Sequence, residues 1–222
     1  LPALAGARRK ARTIQCLSNV KQWTLAIGMY ALDYDDFFPY EGQFGAVNSI
    51  GNSNAWYNIV AENYAGEMSL RDRHAAGWVP EPGGSTIFAC PAAESLSAST
   101  NPTSGRFMYG FNNRLDPNES TSWPKRDPFG RRAFQAGDVW RPSVTPVFTE
   151  NSEEAFPSTS GLYTAARHGS GGTLANLGFV DGHAESVSTN VFRRTMAEDD
   201  RSTNEWAVLN RELYWYPFPG AP

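Results

Sequence analysis

Residues 1–32 read LPALAGARRKARTIQCLSNVKQWTLAIGMYAL, and after Pro2 the run holds no further proline and only two glycines, Gly6 and Gly28. Ala11, Ile14, Leu17, Lys21, Leu25, Gly28 and Leu32 recur at steps of three and four, one stripe of a helix, and Trp23, Ile27 and Tyr30 widen it. A helix of that extent is about 45–50 Å long at 1.5 Å per residue. Up to Arg12 the stretch is mostly alanine and bases, with little to bury. From Ile14 onward it has a face fit to pack on a sheet. The expectation is a rod, half docked and half protruding.

Charge divides the chain at the same place. Residues 1–32 carry Arg8, Arg9, Lys10, Arg12 and Lys21 and no acid, which leaves 14 bases and 23 acids for residues 33–222. The net charge of −4 argues against nucleic-acid binding, which needs a positive surface to neutralise phosphates. With 41% hydrophobic residues the 222-residue chain can bury a core. Its 20 glycines and 15 prolines call for short strands and many turns. No run of 18 apolar residues occurs, so no segment as given spans a membrane.

Beyond Asp33 the pattern shortens. Asn54 is placed to cap a second helix through Tyr64. Residues 86–90, 106–111 and 144–149 read as strands, the last suited to a sheet edge because of Pro146. The runs 174–180 and 183–187 flank Asp181-Gly182, a hairpin signal whose two turn positions call for positive φ. Residues 190–196 suggest a short helix, and 206–219 form an aromatic tail. The fold class expected is α+β, a long helix (residues 1–32) packed on a small, mostly antiparallel sheet with long loops, within a globular body (residues 33–222).

Three features combine: the basic helix running into Cys16-Leu17-Ser18-Asn19-Val20-Lys21-Gln22 and on to Phe37-Phe38-Pro39; Phe88-Ala89-Cys90-Pro91 followed by Tyr109-Gly110-Phe111-Asn112; and Arg167-His168 followed by Asn176 to His183. Together they resemble a bacterial family of prepilin-like proteins, similar to the type II secretion major pseudopilin, whose C-terminal signature is His-x9-Asp-Gly. Here twelve residues separate His168 from Asp181 and Gly182, the extra three falling in the loop 169–173. The resemblance implies a pilin-like fold and an apolar segment of about twenty residues, upstream of Leu1, anchored in the inner membrane. It implies a cell-envelope location with a periplasmic or extracellular body. The expected work is non-enzymatic assembly with other pseudopilin subunits into a pseudopilus or pilus-like fibre, with secreted cargo as a further partner. An oxidising compartment permits a disulfide between Cys16 and Cys90, closing about 75 residues and contributing about 4 kcal/mol in the loop-entropy model; the alternative is two buried free thiols.

The other candidates have bland readings. His168, Asp181 and His183 suggest zinc or acid–base chemistry, yet a structural role in and beside a turn explains them. No cofactor is expected, calcium aside. Asp33, Asp35 and Asp36, or Asp116, Asn118 and Glu119, could offer oxygens to calcium, although solvated acids at element ends look the same. Trp123, Trp140, Trp206, Trp215 and Tyr216 could stack on sugars, which makes a membrane-tethered polysaccharide-binding module the rival to the fibre subunit. A zinc hydrolase at His168, Asp181 and His183 is a third reading. Gly-x-Ser-x-Gly, His-Glu-x-x-His and a phosphate loop are all missing from the sequence.

Overall fold

The first helix, α1 (Pro2–Asp33), runs one residue beyond the expected rod and ends where Asp35 and Asp36 take positive φ. The structure is a computed structural model that describes residues 2–44, 47–48, 50–93, 106–116, 125–152 and 155–221. After α1 come β1 (Gln43–Phe44), β2 (Val47–Asn48), α2 (Trp56–Asn63), α3 (Leu70–Ala75) and β3 (Tyr109–Asn112). Then follow β4 (Lys125–Arg126), β5 (Arg132–Ala133), β6 (Pro146–Glu150), β7 (Ser158–Thr159), β8 (Leu174–Phe179) and β9 (Ala184–Ser188). Three short helices close the chain: α4 (Thr189–Phe192), α5 (Met196–Asp199) and α6 (Ser202–Trp206). The main sheet has the order β7-β3-β6-β8-β9, antiparallel except for the β3–β7 pair. The architecture is therefore α+β, as expected.

α1 lies across β6, β8 and β9. It does so through Cys16, Val20, Trp23, Ala26, Ile27 and Tyr30, all essentially without solvent exposure. The stripe read from the sequence is on the other side: Ile14, Leu25 and Leu32 are 67%, 48% and 78% exposed. The helix has two apolar faces, and the aromatic one docks because Trp23 removes more apolar area from water than any leucine. Trp23 meets Trp56 edge-on at 4.9 Å and Phe88 at 5.2 Å. Its indole N–H donates to Ile87 O at 2.8 Å.

Other expectations shift for local reasons. Residues 86–90 are a buried turn, Ala89 N–H donating back to Thr86 O (3.0 Å), with Asn19 Nδ2 donating to the carbonyls of Thr86 and Ala89. Helix α2 starts after Ala55, with no side-chain cap, so Asn54 does not cap it. Pro146 lies in the central strand of the sheet, tolerated because it is the first residue and sits at a register shift opposite Phe179. The hairpin is present, but only Gly182 has positive φ (92°). Phe179 N–H donates to His183 O, leaving a three-residue loop with glycine at its left-handed end.

Both faces of the sheet are covered. Behind it Ala175, Leu177, Phe179, Val187, Phe192, Leu213 and Trp215 form a second core, so the aromatic tail is packing. Arg194 and Glu205 fasten it. Their ion pair (2.7 Å) is buried, and the Glu205 carboxylate also accepts from the backbone N–H groups of Trp215 and Tyr216 at 2.9 Å. No helix among the described residues is long and apolar enough to cross a membrane.

Candidate functional site

Four chain segments converge beneath α1. Cys16 comes from its middle; Cys90 ends the turn held by Asn19 and Trp23; Glu150 is the last residue of β6; and His168 pairs with Leu174 at the start of β8. That pairing closes the glycine-rich loop 169–173 on itself, which is how the longer spacing to Asp181 is absorbed. Among the described residues this is the one group of three or more metal-compatible side chains, their ligand atoms all lying within 4.8 Å of one another and fully buried.

The sulphurs of Cys16 and Cys90, both free thiols in this structure, are 2.6 Å apart. Cys90 Sγ donates to Glu150 Oε1 at 3.3 Å, and His168 Nε2 stands 2.6 Å from that same oxygen. Each group has an outer partner. Glu150 Oε2 accepts from Asn176 N–H at 2.8 Å, and Tyr109 O–H donates to Cys16 Sγ at 3.4 Å. Thr13 Oγ1 donates to Arg9 O (3.1 Å) and lies 3.2 Å from His168 Nδ1. With its proton committed to Arg9, the threonine hydroxyl accepts from His168 Nδ1–H, which leaves Nε2 to face the cluster.

Burial alone would lower the His168 pKa, but its hydrogen bonds with Cys90 and Glu150 outweigh that and push it up to about 9. The Cys90 thiol is pushed up by its bond with Cys16 and then by burial, and burial likewise raises the Tyr109 hydroxyl. His168 is thus held toward its protonated form beside Glu150, and Cys90 toward its thiol form, a poor nucleophile.

The remaining candidates are scattered. Asp181 and His183 bond each other at 2.6 Å on the open tip of the hairpin, the imidazole stacked on Phe179. His168 pairs with Leu174 at the opposite end of β8, roughly 20 Å away at 3.3 Å per strand residue. The trio His168, Asp181 and His183 forms no site. Around the end of α1, Asp33 accepts from Tyr64 O–H (2.9 Å), while Asp35 and Asp36 accept through their backbone carbonyls from Gln135 Nε2 and Ala136 N–H. Asp116 is buried and accepts from Glu41 N–H; Asn118 and Glu119 lie outside the described residues, as does Trp123. Trp215 and Tyr216 are buried, and Trp206 is partly so. Trp140 remains 67% exposed, edge-on to Trp206 at 6.0 Å.

Sequence reasoning singled out Cys16, Cys90 and His168 but missed Glu150 and Thr13. The available signal at Glu150 was an acid ending the apolar run Val147-Phe148-Thr149, which reads equally as a strand emerging into water. No curated protein matches this chain, and no solved structure matches it. A family model described as SBP_bac_10, protein of unknown function (DUF1559), matches residues 5–151, about two thirds of the chain and three of the four cluster residues. The chain belongs to the DUF1559 family.

Proposed function

We propose that the chain is a pilin-like assembly subunit, with α1 as the rod by which copies pack side by side into a pseudopilus- or pilus-type fibre of the cell envelope. The observation that carries this reading is the second apolar face of α1. Leu4, Ile14, Leu25, Met29 and Leu32 are 48–78% exposed, and at 3.6 residues per turn they fall within an arc of roughly 80° opposite the docked face. An exposed apolar stripe along a 32-residue helix, interrupted by Ser18 and Gln22, marks an association surface. A second copy is its occupant on grounds of charge. Arg8, Arg9, Lys10 and Arg12 are exposed near one end, and Asp33, Asp35 and Asp36 at the other, roughly 36 Å along the axis. A neighbour shifted by that distance sets opposite charges together, an attraction that salt would screen. An upstream apolar segment would hold the subunit in the inner membrane before assembly, and the sheet body would face neighbours or secreted cargo.

The test is a photo-crosslinking residue placed at Leu25 or Met29 in the full-length protein, expressed in its own cell. A ladder of multimers joined helix to helix, with fibres visible by electron microscopy, is the expected result. Monomers alone, with no fibres, would sink the reading.

A second reading has one observation behind it. Arg141 lies over the rings of Trp206 (5.8 Å) and Tyr214 (5.3 Å) next to exposed Trp140, a patch of the kind that stacks on sugars. A glycan array with the soluble chain decides it: a hit abolished by Trp140→Ala favours a polysaccharide-binding module, and a blank array removes it.

A further inference from the structure

We propose that Cys16, Cys90, Glu150 and His168 form a closed, four-coordinate structural zinc site that fastens α1 to the sheet. The inference is independent of whether the chain assembles. Two sulphurs, an imidazole nitrogen and a carboxylate oxygen are a donor set that suits Zn²⁺, and structural sites take four protein ligands in a tetrahedron. All four donor atoms already lie within 4.8 Å of one another. Bond lengths of about 2.0–2.3 Å to zinc separate neighbouring donors by roughly 3.3–3.7 Å. The Cys90–Glu150 spacing (3.3 Å) is already suitable, while the sulphur pair and the His168–Glu150 pair, each at 2.6 Å, have to open by about 1 Å.

The surrounding shell is the stronger argument. Metal-bound histidines donate their second N–H to a fixed acceptor, and ligating carboxylates are held by a donor on their other oxygen. Thr13 supplies the first through His168 Nδ1, and Asn176 N–H the second through Glu150 Oε2. Tyr109 donates to Cys16 Sγ, the bond a thiolate accepts. Thr13 and Asn176 occupy the outward atoms of His168 and Glu150 and turn the inward ones toward the cysteines. A disulfide would use only the two sulphurs, leaving Glu150 and His168 paired with each other. On binding, the two thiol protons and the proton on Nε2 pass to solvent, and four bonds to the ion replace four contacts among the groups themselves. Arg167, bonded to the carbonyls of Met108 and Asn151 beside Glu150, places a positive charge near the resulting anionic centre.

Cys16 and Thr13 belong to α1, whereas the segments that carry Cys90, Glu150 and His168 belong to the body, so the ion would load as the helix docks. The experiment uses the chain expressed and purified without chelator and without added reductant. Elemental analysis should find about one zinc per chain. Denaturation with chelator should release two reactive thiols and a mass equal to the fully reduced sequence. The same chain, refolded with Co²⁺ alone, should show a thiolate-to-cobalt absorption band. His168→Ala and Cys16→Ser should each lower zinc affinity at least tenfold, and Thr13→Val, which alters only the positioning of His168, should do so by about tenfold. A denatured mass two hydrogens lower, showing a Cys16–Cys90 bond, would overturn the proposal. So would a reduced, folded wild-type chain that takes up neither zinc nor cobalt, a result that needs no variant to fold.

Discussion

Gly178→Ala tests how closely α1 sits on the sheet. A methyl built on Gly178 would lie 1.7 Å from Thr24 Oγ1, 2.9 Å from Thr24 Cβ and 3.2 Å from its Cγ2. Thr24 is buried, and its hydroxyl donates to Val20 O at 2.8 Å. Turning its side chain would relieve the first contact at the expense of that bond. It would not relieve the second, because Cβ is fixed by the helix backbone. Either α1 lifts from β8 or the strand bends. Overpacking of this kind costs about 1–3 kcal/mol, and the need to move backbone puts the expected value near 3. For a chain of this size that corresponds to a drop in Tm of about 6–12 °C.

Urea denaturation followed by tryptophan fluorescence gives the free energy directly. Thr24→Gly removes the obstructing Cβ at a cost of only about 0.3 kcal/mol in helix propensity, threonine being itself a poor helix former. In that background Gly178→Ala should become nearly neutral, a coupling of about 3 kcal/mol between the two sites. If Gly178→Ala alone stays within about 0.5 kcal/mol of the wild type, a typical surface effect, the close helix–strand approach is wrong and so is the docking of α1 built on it.

Leu25→Asp and Met29→Asp should each cost the chain only about 1 kcal/mol in denaturation, since both side chains are half exposed, while abolishing crosslinked multimers in the cell. Glu205→Ala should cost about 3–5 kcal/mol by leaving the Arg194 guanidinium buried and uncompensated; near-neutral behaviour in the same denaturation assay would contradict that. Trp140→Ala should change stability by less than about 0.5 kcal/mol, because the ring is mostly exposed. Glu198 predicts an acid limb. Burial works to raise its pKa, but the Thr195 N–H and hydroxyl and Arg211 outweigh it and hold the carboxyl below its usual range. Its stabilisation is thus complete above the unfolded value of about 4.3 and is lost as pH falls through the folded one, so Glu198→Gln should flatten the loss of stability below about pH 4.5.

The hairpin at residues 174–187 was legible because an Asp-Gly turn and its flanking runs are local signals, and α1 because thirty residues without a breaker leave few alternatives. What failed was any inference about which side of an element meets what. A helix with apolar residues on opposite faces satisfies a three-and-four spacing twice. The leucine stripe that looked like the docking face is the open one, while Trp23, Ile27 and Tyr30 do the packing. Strand β8 shows no polar alternation for a related reason: α1 covers one side of it and the C-terminal aromatics the other. Residues 86–90 have strand composition but no strand neighbour, being held instead by Asn19 and Trp23. The cluster was the least visible feature, since its members lie 74, 60 and 18 residues apart along the successive contacts Cys16–Cys90, Cys90–Glu150 and Glu150–His168. No local pattern encodes that convergence; the docking of α1 creates it. The same step that buries Trp23 delivers Cys16 and Thr13 to the other three groups. Whatever fastens Cys16 to those groups therefore acts on the attachment of the helix that the proposed assembly would use.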